Sequence, residues 1–122
     1  MEITISKLEQ FVGGQVKITK PADPGSSVGC GEIEKVRLEN GWVILGLAWY
    51  VTKPVGASDK QFCAEHRNEV IISAKAFAGE ITDHGLKFFE EDSGTFTVLR
   101  PPGHPTLVDG TKLRAFPVPE QT

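Results

Sequence analysis

Cys63-Ala64-Glu65-His66 sets a thiol and an imidazole three residues apart, the spacing of half a zinc site. A closed structural site takes four nitrogen or sulfur ligands in a tetrahedron, so Cys30, His84 or His104 would have to complete it. No second half-site stands out, and neither a metal nor a cofactor is expected. The same side chains could instead supply a nucleophile, with Cys63 activated by His66 or His84 as a base. Neither cysteine stands in a recognised catalytic signature, and spacing says nothing of proximity. Asp83-His84 has the composition of an acid–base pair, yet the following Gly85 marks turn chemistry. Glu90-Glu91-Asp92 offers three adjacent carboxylates, whereas a calcium loop spaces its ligands, so a solvated hairpin tip is expected. The glycines of Gly25-Ser26-Ser27-Val28-Gly29-Cys30-Gly31 fail as a phosphate cradle, because they precede a strand and lack G-x-x-x-x-G-K-[ST]. No catalytic residue is assigned.

Chemistry of contact is better represented. Trp42, Trp49, Tyr50, Phe62 and Phe77 are rigid aromatics that bring large area to an interface at low entropic cost. Residues 42–51 are apolar at both parities, so at least one of Trp49 and Tyr50 must face away from the main core. Trp49, Tyr50 and Trp42 are therefore the candidate binding residues.

The elements that would position them follow from turn signals and period-two patterning. Asn40-Gly41 supplies the two positive-φ residues of a tight hairpin between residues 30–38 and 42–51. Apolar parity switches between Ile33 and the pair Val36 and Leu38, which predicts a β-bulge at Glu34-Lys35; Gly46 is the expected bend of the second strand. Met1, Ile3 and Ile5 alternate as a strand, and Ser6-Lys7-Leu8-Glu9 has the form of a capping box for a short helix whose face holds Leu8, Phe11 and Val12, ending at Gly13-Gly14. Further strands are predicted at 15–19, weakly at 61–63, and at 69–73, 85–89 and 95–99, with a Ser73-capped helical turn over 74–78. Residues 20–29 and 54–60 read as loops. Beyond Arg100, Pro101-Pro102 and Phe116-Pro117-Val118-Pro119 ration backbone donors, giving a strap across a sheet edge, with a small hairpin at Asp109-Gly110.

At 122 residues the chain is one domain of ordinary size. Its 39% hydrophobic and 24% charged composition and net charge of −3 argue against attraction to a phosphate backbone, so nucleic acid is not an expected partner. No apolar run approaches a membrane span and the opening residues are too polar for a secretory signal, which predicts an intracellular, cytoplasmic protein with no membrane partner. The two cysteines suggest thiols, although spacing leaves a Cys30–Cys63 bridge open.

The order Gly14-Gln15-Val16-Lys17-Ile18, Gly31-Glu32-Ile33-Glu34-Lys35-Val36, Leu47-Ala48-Trp49-Tyr50-Val51-Thr52-Lys53-Pro54 and Asn68-Glu69-Val70-Ile71-Ile72-Ser73 resembles a bromo-adjacent homology (BAH) domain over about residues 14–90. The resemblance implies a bent-barrel module for protein–protein contacts in chromatin or gene silencing, hence a nuclear location, and some members read methylated lysine in an aromatic cage. Trp49 matches the cage Trp. Val51 stands where readers often carry an aromatic, the strand near Cys30 lacks the expected Tyr, and Thr52-Lys53-Pro54 is one residue longer than the usual junction.

Taken together, these features predict an all-β fold: a small SH3-like bent barrel over residues 1–99 with one or two short helical turns, and a Pro-rich C-terminal strap over 100–122 in the same domain. The expected function is a non-enzymatic binding module that holds a peptide or partner protein at an aromatic surface or sheet edge, with a homodimer through an unpaired strand as one form. The alternatives are a small-molecule-binding or hydrolytic protein with a pocket near Cys63, His66 and His84, and an accessory protein without an activity of its own.

Overall fold

Asn40 and Gly41 adopt φ of 49° and 80°, the left-handed pair that a two-residue hairpin between right-twisted strands requires. The hairpin is seen in a computed structural model that describes residues 2–20, 27–58, 61–104 and 108. It joins two of the eight strands among the described residues. In chain order these are β1 (Gln15–Thr19), β2 (Ser27–Glu39), β3 (Trp42–Pro54), β4 (Cys63–Glu65), β5 (Glu69–Ser73), β6 (Phe77–Ile81), β7 (Gly85–Glu90) and β8 (Thr95–Arg100).

All pairs are antiparallel, in the order β4-β3-β2-β1-β8-β7-β6, with β5 sharing the outer edge of β3 with β4. The path is open, with β4 and β5 at one end and β6 at the other. A single 3₁₀ turn, Ala74–Ala76, carries the chain between those ends, and Ser73 Oγ caps it by accepting from the Lys75 amide at 3.3 Å. The mainly β prediction therefore holds as an antiparallel sheet without hydrogen-bonded closure.

Two offset bulges shape the long hairpin. Ile33 faces Leu47 and Lys35 faces Gly46, leaving Glu34 as the extra residue of β2, where the parity switch predicts it. Glu32 faces Trp49, leaving Ala48 extra on β3. Each insertion moves the side chains beyond it to the other face. Consequently Val43, Leu45 and Leu47 point inward at odd positions, and Tyr50 points inward at an even one.

Inner-face side chains from both ends of the path share one core, which includes Val16, Ile33, Leu45, Ile72, Phe88 and Leu99. A helix, α1 (Ile5–Glu9), adds Leu8 and packs against β2, and Phe11 comes from the next turn. Among the described residues α1 is the one α-helix, so the main core is covered chiefly by other strands of the same sheet. No helix among the described residues is long and apolar enough to cross a membrane.

Several local expectations change. Residues 2–4 form no strand; Thr4 caps α1 instead of Ser6, its Oγ1 accepting from the Lys7 amide at 3.3 Å. The alternation of Ile3 and Ile5 finds no partner strand, and Leu8 and Phe11 anchor the segment, while Val12 is 42% exposed. β2 begins at Ser27, inside the expected loop, because Val28 pairs with both Thr19 and Lys53. The weak strand at 61–63 lies two residues later as β4, with Phe62 buried just before it. The helical turn expected over 74–78 stops at Ala76, and residues 77–78 open strand β6 instead: Phe77 packs on Phe88 with centroids 5.5 Å apart, and Gly79, at φ 122°, sits beside a bulge in β6. Glycine relieves crowding elsewhere as well, because the Tyr50 ring lies over Gly29 and Gly31, and a Cβ on Gly29 would meet the phenol hydroxyl first. Of the C-terminal strap, residues 100–104 and Val108 are described; the hairpin at Asp109-Gly110 lies outside the described residues.

Gly29→Ala is expected to destabilise the fold by about 1–3 kcal/mol, the usual penalty of overpacking a filled interior. Adding Tyr50→Phe should return part of that loss, since the hydroxyl is the first atom struck. Urea denaturation of the two variants checks this; an unchanged midpoint for Gly29→Ala would refute the ring's placement.

Candidate functional site

β4 and β5 run along β3 in a single register, from Thr52 opposite Cys63 to Trp42 opposite Ser73. They are one edge strand broken at residues 66–68, opposite the Ala48 bulge, where only the Leu47 amide reaches the Asn68 carbonyl at 2.8 Å. Beside that break the strand's alternation sends the sequence neighbours Trp49 and Tyr50 to opposite faces. Tyr50, 3% exposed, enters the main core, and the Arg67 guanidinium stands 4.4 Å from its ring centroid. Trp49 turns to the other face and packs half-buried against a second cluster of Cys30, Val51, Phe62 and Val108. Its Nε1–H is buried without an acceptor among the described residues. The Gln15 amide donates to the Val108 carbonyl at 2.9 Å, so the C-terminal segment lies over this face at that point.

Trp49 thus faces away from the main core, as expected for one of the pair, but a second apolar cluster covers it. Trp42, the third candidate, is different, at 49% exposed. On the same outward face Ile44 stands opposite Ile71 of β5 on one side and Arg37 of β2 on the other. Ile71 is 57% exposed, Ile44 is half-buried, and with Glu39 and Asn40 these side chains line an open groove of about 310 Å³. Arg37 donates to Glu39 and Glu69, both at 3.1 Å, forming a two-signed rim beside the apolar triad. Exposed on both sides, these ion pairs contribute little stability but fix side-chain directions around the groove.

Ile71 is not among the candidate binding residues of the sequence analysis. It stands in a short apolar run, yet Glu69, Ile71 and Ser73 share one parity and Val70 and Ile72 the other. The polar ends of the first set are the available sign that it faces outward.

The titratable candidates stand on separate elements. Cys63 is exposed on β4 and His66 comes next, in the broken segment, whereas His84 lies in the β6–β7 connection at the other end of the strand path. Both cysteines are free, Cys30 buried and Cys63 exposed. No group of three metal-ligating side chains occurs among the described residues. The turn expected before Gly85 forms, but its left-handed positions are Asp83 and His84, at φ of 66° and 60°, while Gly85 is extended at φ −81°; Asp83 Oδ2 lies 3.3 Å from His104 Nε2 instead of serving its neighbour. Glu90-Glu91-Asp92 forms the expected tip, closed by the Gly94 amide donating to the Glu90 carbonyl at 2.8 Å.

Burial raises the Tyr50 phenol above its ordinary 10.0; Arg67 opposes the shift, and Glu65 and Cys30 reinforce it. The folded state therefore holds the proton more tightly than the unfolded chain. The associated stability is complete below pH 10.0 and is lost as pH climbs through the folded value. As the chain has one tyrosine, phenolate absorbance reads this group alone. The native midpoint should exceed 10.0, fall back in urea, and rise further in Arg67→Ala; a native midpoint at or below 10.0 would contradict the buried ring.

Compared with known proteins, the chain matches no family model, no curated protein and no solved structure.

Proposed function

We propose that this protein is a non-enzymatic binding module, an SH3-like bent barrel that holds a peptide or partner protein against the Trp42–Ile44–Ile71 surface. One observation carries the reading: three large apolar side chains occupy outward positions of β3 and β5, where a strand wet on one face would alternate to polar residues. Contiguous exposed apolar surface rimmed by charge is the signature of a contact site, and a partly exposed Trp is the side chain most enriched among energetic anchors.

The bent-barrel reading draws support from the two bulges and from a core shared by strands at both ends of the path. The order of BAH-like segments favours the same fold and the same class of activity, protein contact. A methyl-lysine cage is not part of the proposal, because Trp49 packs among Cys30, Val51 and Phe62 and a lone Trp face gives a cation only about 0.5–2 kcal/mol. The alternative of a hydrolytic or small-molecule pocket near Cys63, His66 and His84 gains no support from the position of His84 in the strand path.

The test uses peptides selected from a random display library against the immobilised chain. Their binding should shift the Trp42 indole N–H and the Ile44 and Ile71 methyl resonances. Trp42→Ala should weaken binding by about 30-fold, the equivalent of roughly 2 kcal/mol for an anchor residue. Ile71→Ser should weaken it while leaving the unfolding midpoint within about 0.5 kcal/mol, as befits an exposed position. Selected peptides whose shifts map elsewhere, or whose affinity ignores Trp42→Ala, would sink the proposal.

A further inference from the structure

The two ends of the strand path are unequal. At one end β6 is blunted: a bulge lies just past Phe77, Gly79 takes φ 122°, and Glu80 is exposed. Such irregularity, together with a charge on the edge, is how soluble proteins prevent a free strand from pairing. At the other end β5 reads Glu69-Val70-Ile71-Ile72-Ser73 without bulge, proline or glycine, and keeps one register along β3. Among the described residues it pairs with β3 alone. Its only charged side chain, Glu69, is at the strand's end and engaged by Arg37. An edge with no further strand partner among the described residues, bordering the Trp42–Ile44–Ile71 face, offers backbone and apolar surface together, the combination that accepts an added strand.

We infer that the partner on this surface is a second copy of this chain, paired antiparallel along β5 about a two-fold axis through Ile71. The inference rests on the binding-module reading and narrows it to one occupant. In this arrangement Ile71 meets Ile71 of the second copy, Val70 meets Ile72, and Glu69 meets Ser73. Every pair keeps its face, and the central ones are β-branched, the side chains that stabilise cross-strand contacts best. The two Trp42–Ile44–Ile71 triads then lie side by side as one apolar stripe, which a foreign strand would leave half uncovered. Charge agrees with self-pairing: the one charged side chain of β5, Glu69, lies at its end, so the register sets Ser73 of the second copy opposite it and brings no two carboxylates face to face. The contact is isologous and closes on itself, so it ends at two copies.

Sedimentation velocity over a concentration series is the primary test. A reversible dimer is expected. Ile71→Lys, at a position exposed enough to keep the fold, should raise its dissociation constant by about tenfold or more, and thermal unfolding of the variant monomer verifies folding. Amide exchange supplies a second reading: alternate amides of β5 should gain protection as concentration rises, and those of β6 should not. A monomer at every concentration, a dimer indifferent to Ile71→Lys, protection on β6, or open-ended assemblies would each overturn the inference. A monomer that still binds selected peptides through Trp42 overturns the dimer and leaves the module reading standing; a monomer that binds none removes both.

Discussion

Everything else in this molecule hangs on the continuous pairing of β2 with β3 through two offset bulges. A 13-residue ladder with no irregularity would present one fixed parity to the interior and stay gently twisted. Glu34 and Ala48, each unpaired on its own strand, reverse the parity of the residues beyond them and bend the ribbon. The reversal lets the hairpin bury Leu45 and Leu47 before the bend and Tyr50 after it in a single core. The outer partner strand breaks at the same level, so β4 and β5 share one register without forming one continuous strand.

Tyr50 locks that bend. Its ring spreads over Gly29 and Gly31, where any larger residue would collide, and Arg67 closes over it from the broken edge. Two glycines in the middle of a strand weaken it by lost packing and by backbone entropy. The aromatic side chain laid across them from the neighbouring strand offsets that loss and seals the hairpin against water. The three aromatics of this strand differ accordingly: Tyr50 is consumed in the main core, Trp49 packs on the second cluster with Val108, and Trp42 is 49% exposed.

Exposure of Trp42, Ile44 and Ile71 is the feature that a folding requirement alone does not explain. Each occupies a regular antiparallel position where a polar side chain would serve the fold equally. The neighbouring Arg37, Glu39 and Glu69 engage one another, so charges of both signs stand beside the groove. An apolar centre with a polar rim is the arrangement found where protein surfaces meet.

The hairpin, the Glu34 bulge, the acidic β7–β8 tip, the turn at Asp83-His84 and the short strands at 15–19 and 69–73 are determined by the sequence itself, because each depends on local chemistry: positive-φ residues, period-two alternation, or a parity switch within a few residues. Tertiary structure alone decides the rest. Whether the Ile3 and Ile5 alternation becomes a strand depends on finding a partner edge, and among the described residues none is offered; whether residues 77–78 continue the helical turn or open a strand depends on Phe77 reaching Phe88. Which of Trp42, Trp49 and Tyr50 meets solvent is likewise a matter of what covers them, and the covering groups, Gly29 and Gly31 under Tyr50 and Val108 beside Trp49, come from distant parts of the chain. Local patterning sets what a segment is able to become, and burial by remote residues selects among those states, because apolar area leaves water only when another surface arrives to cover it.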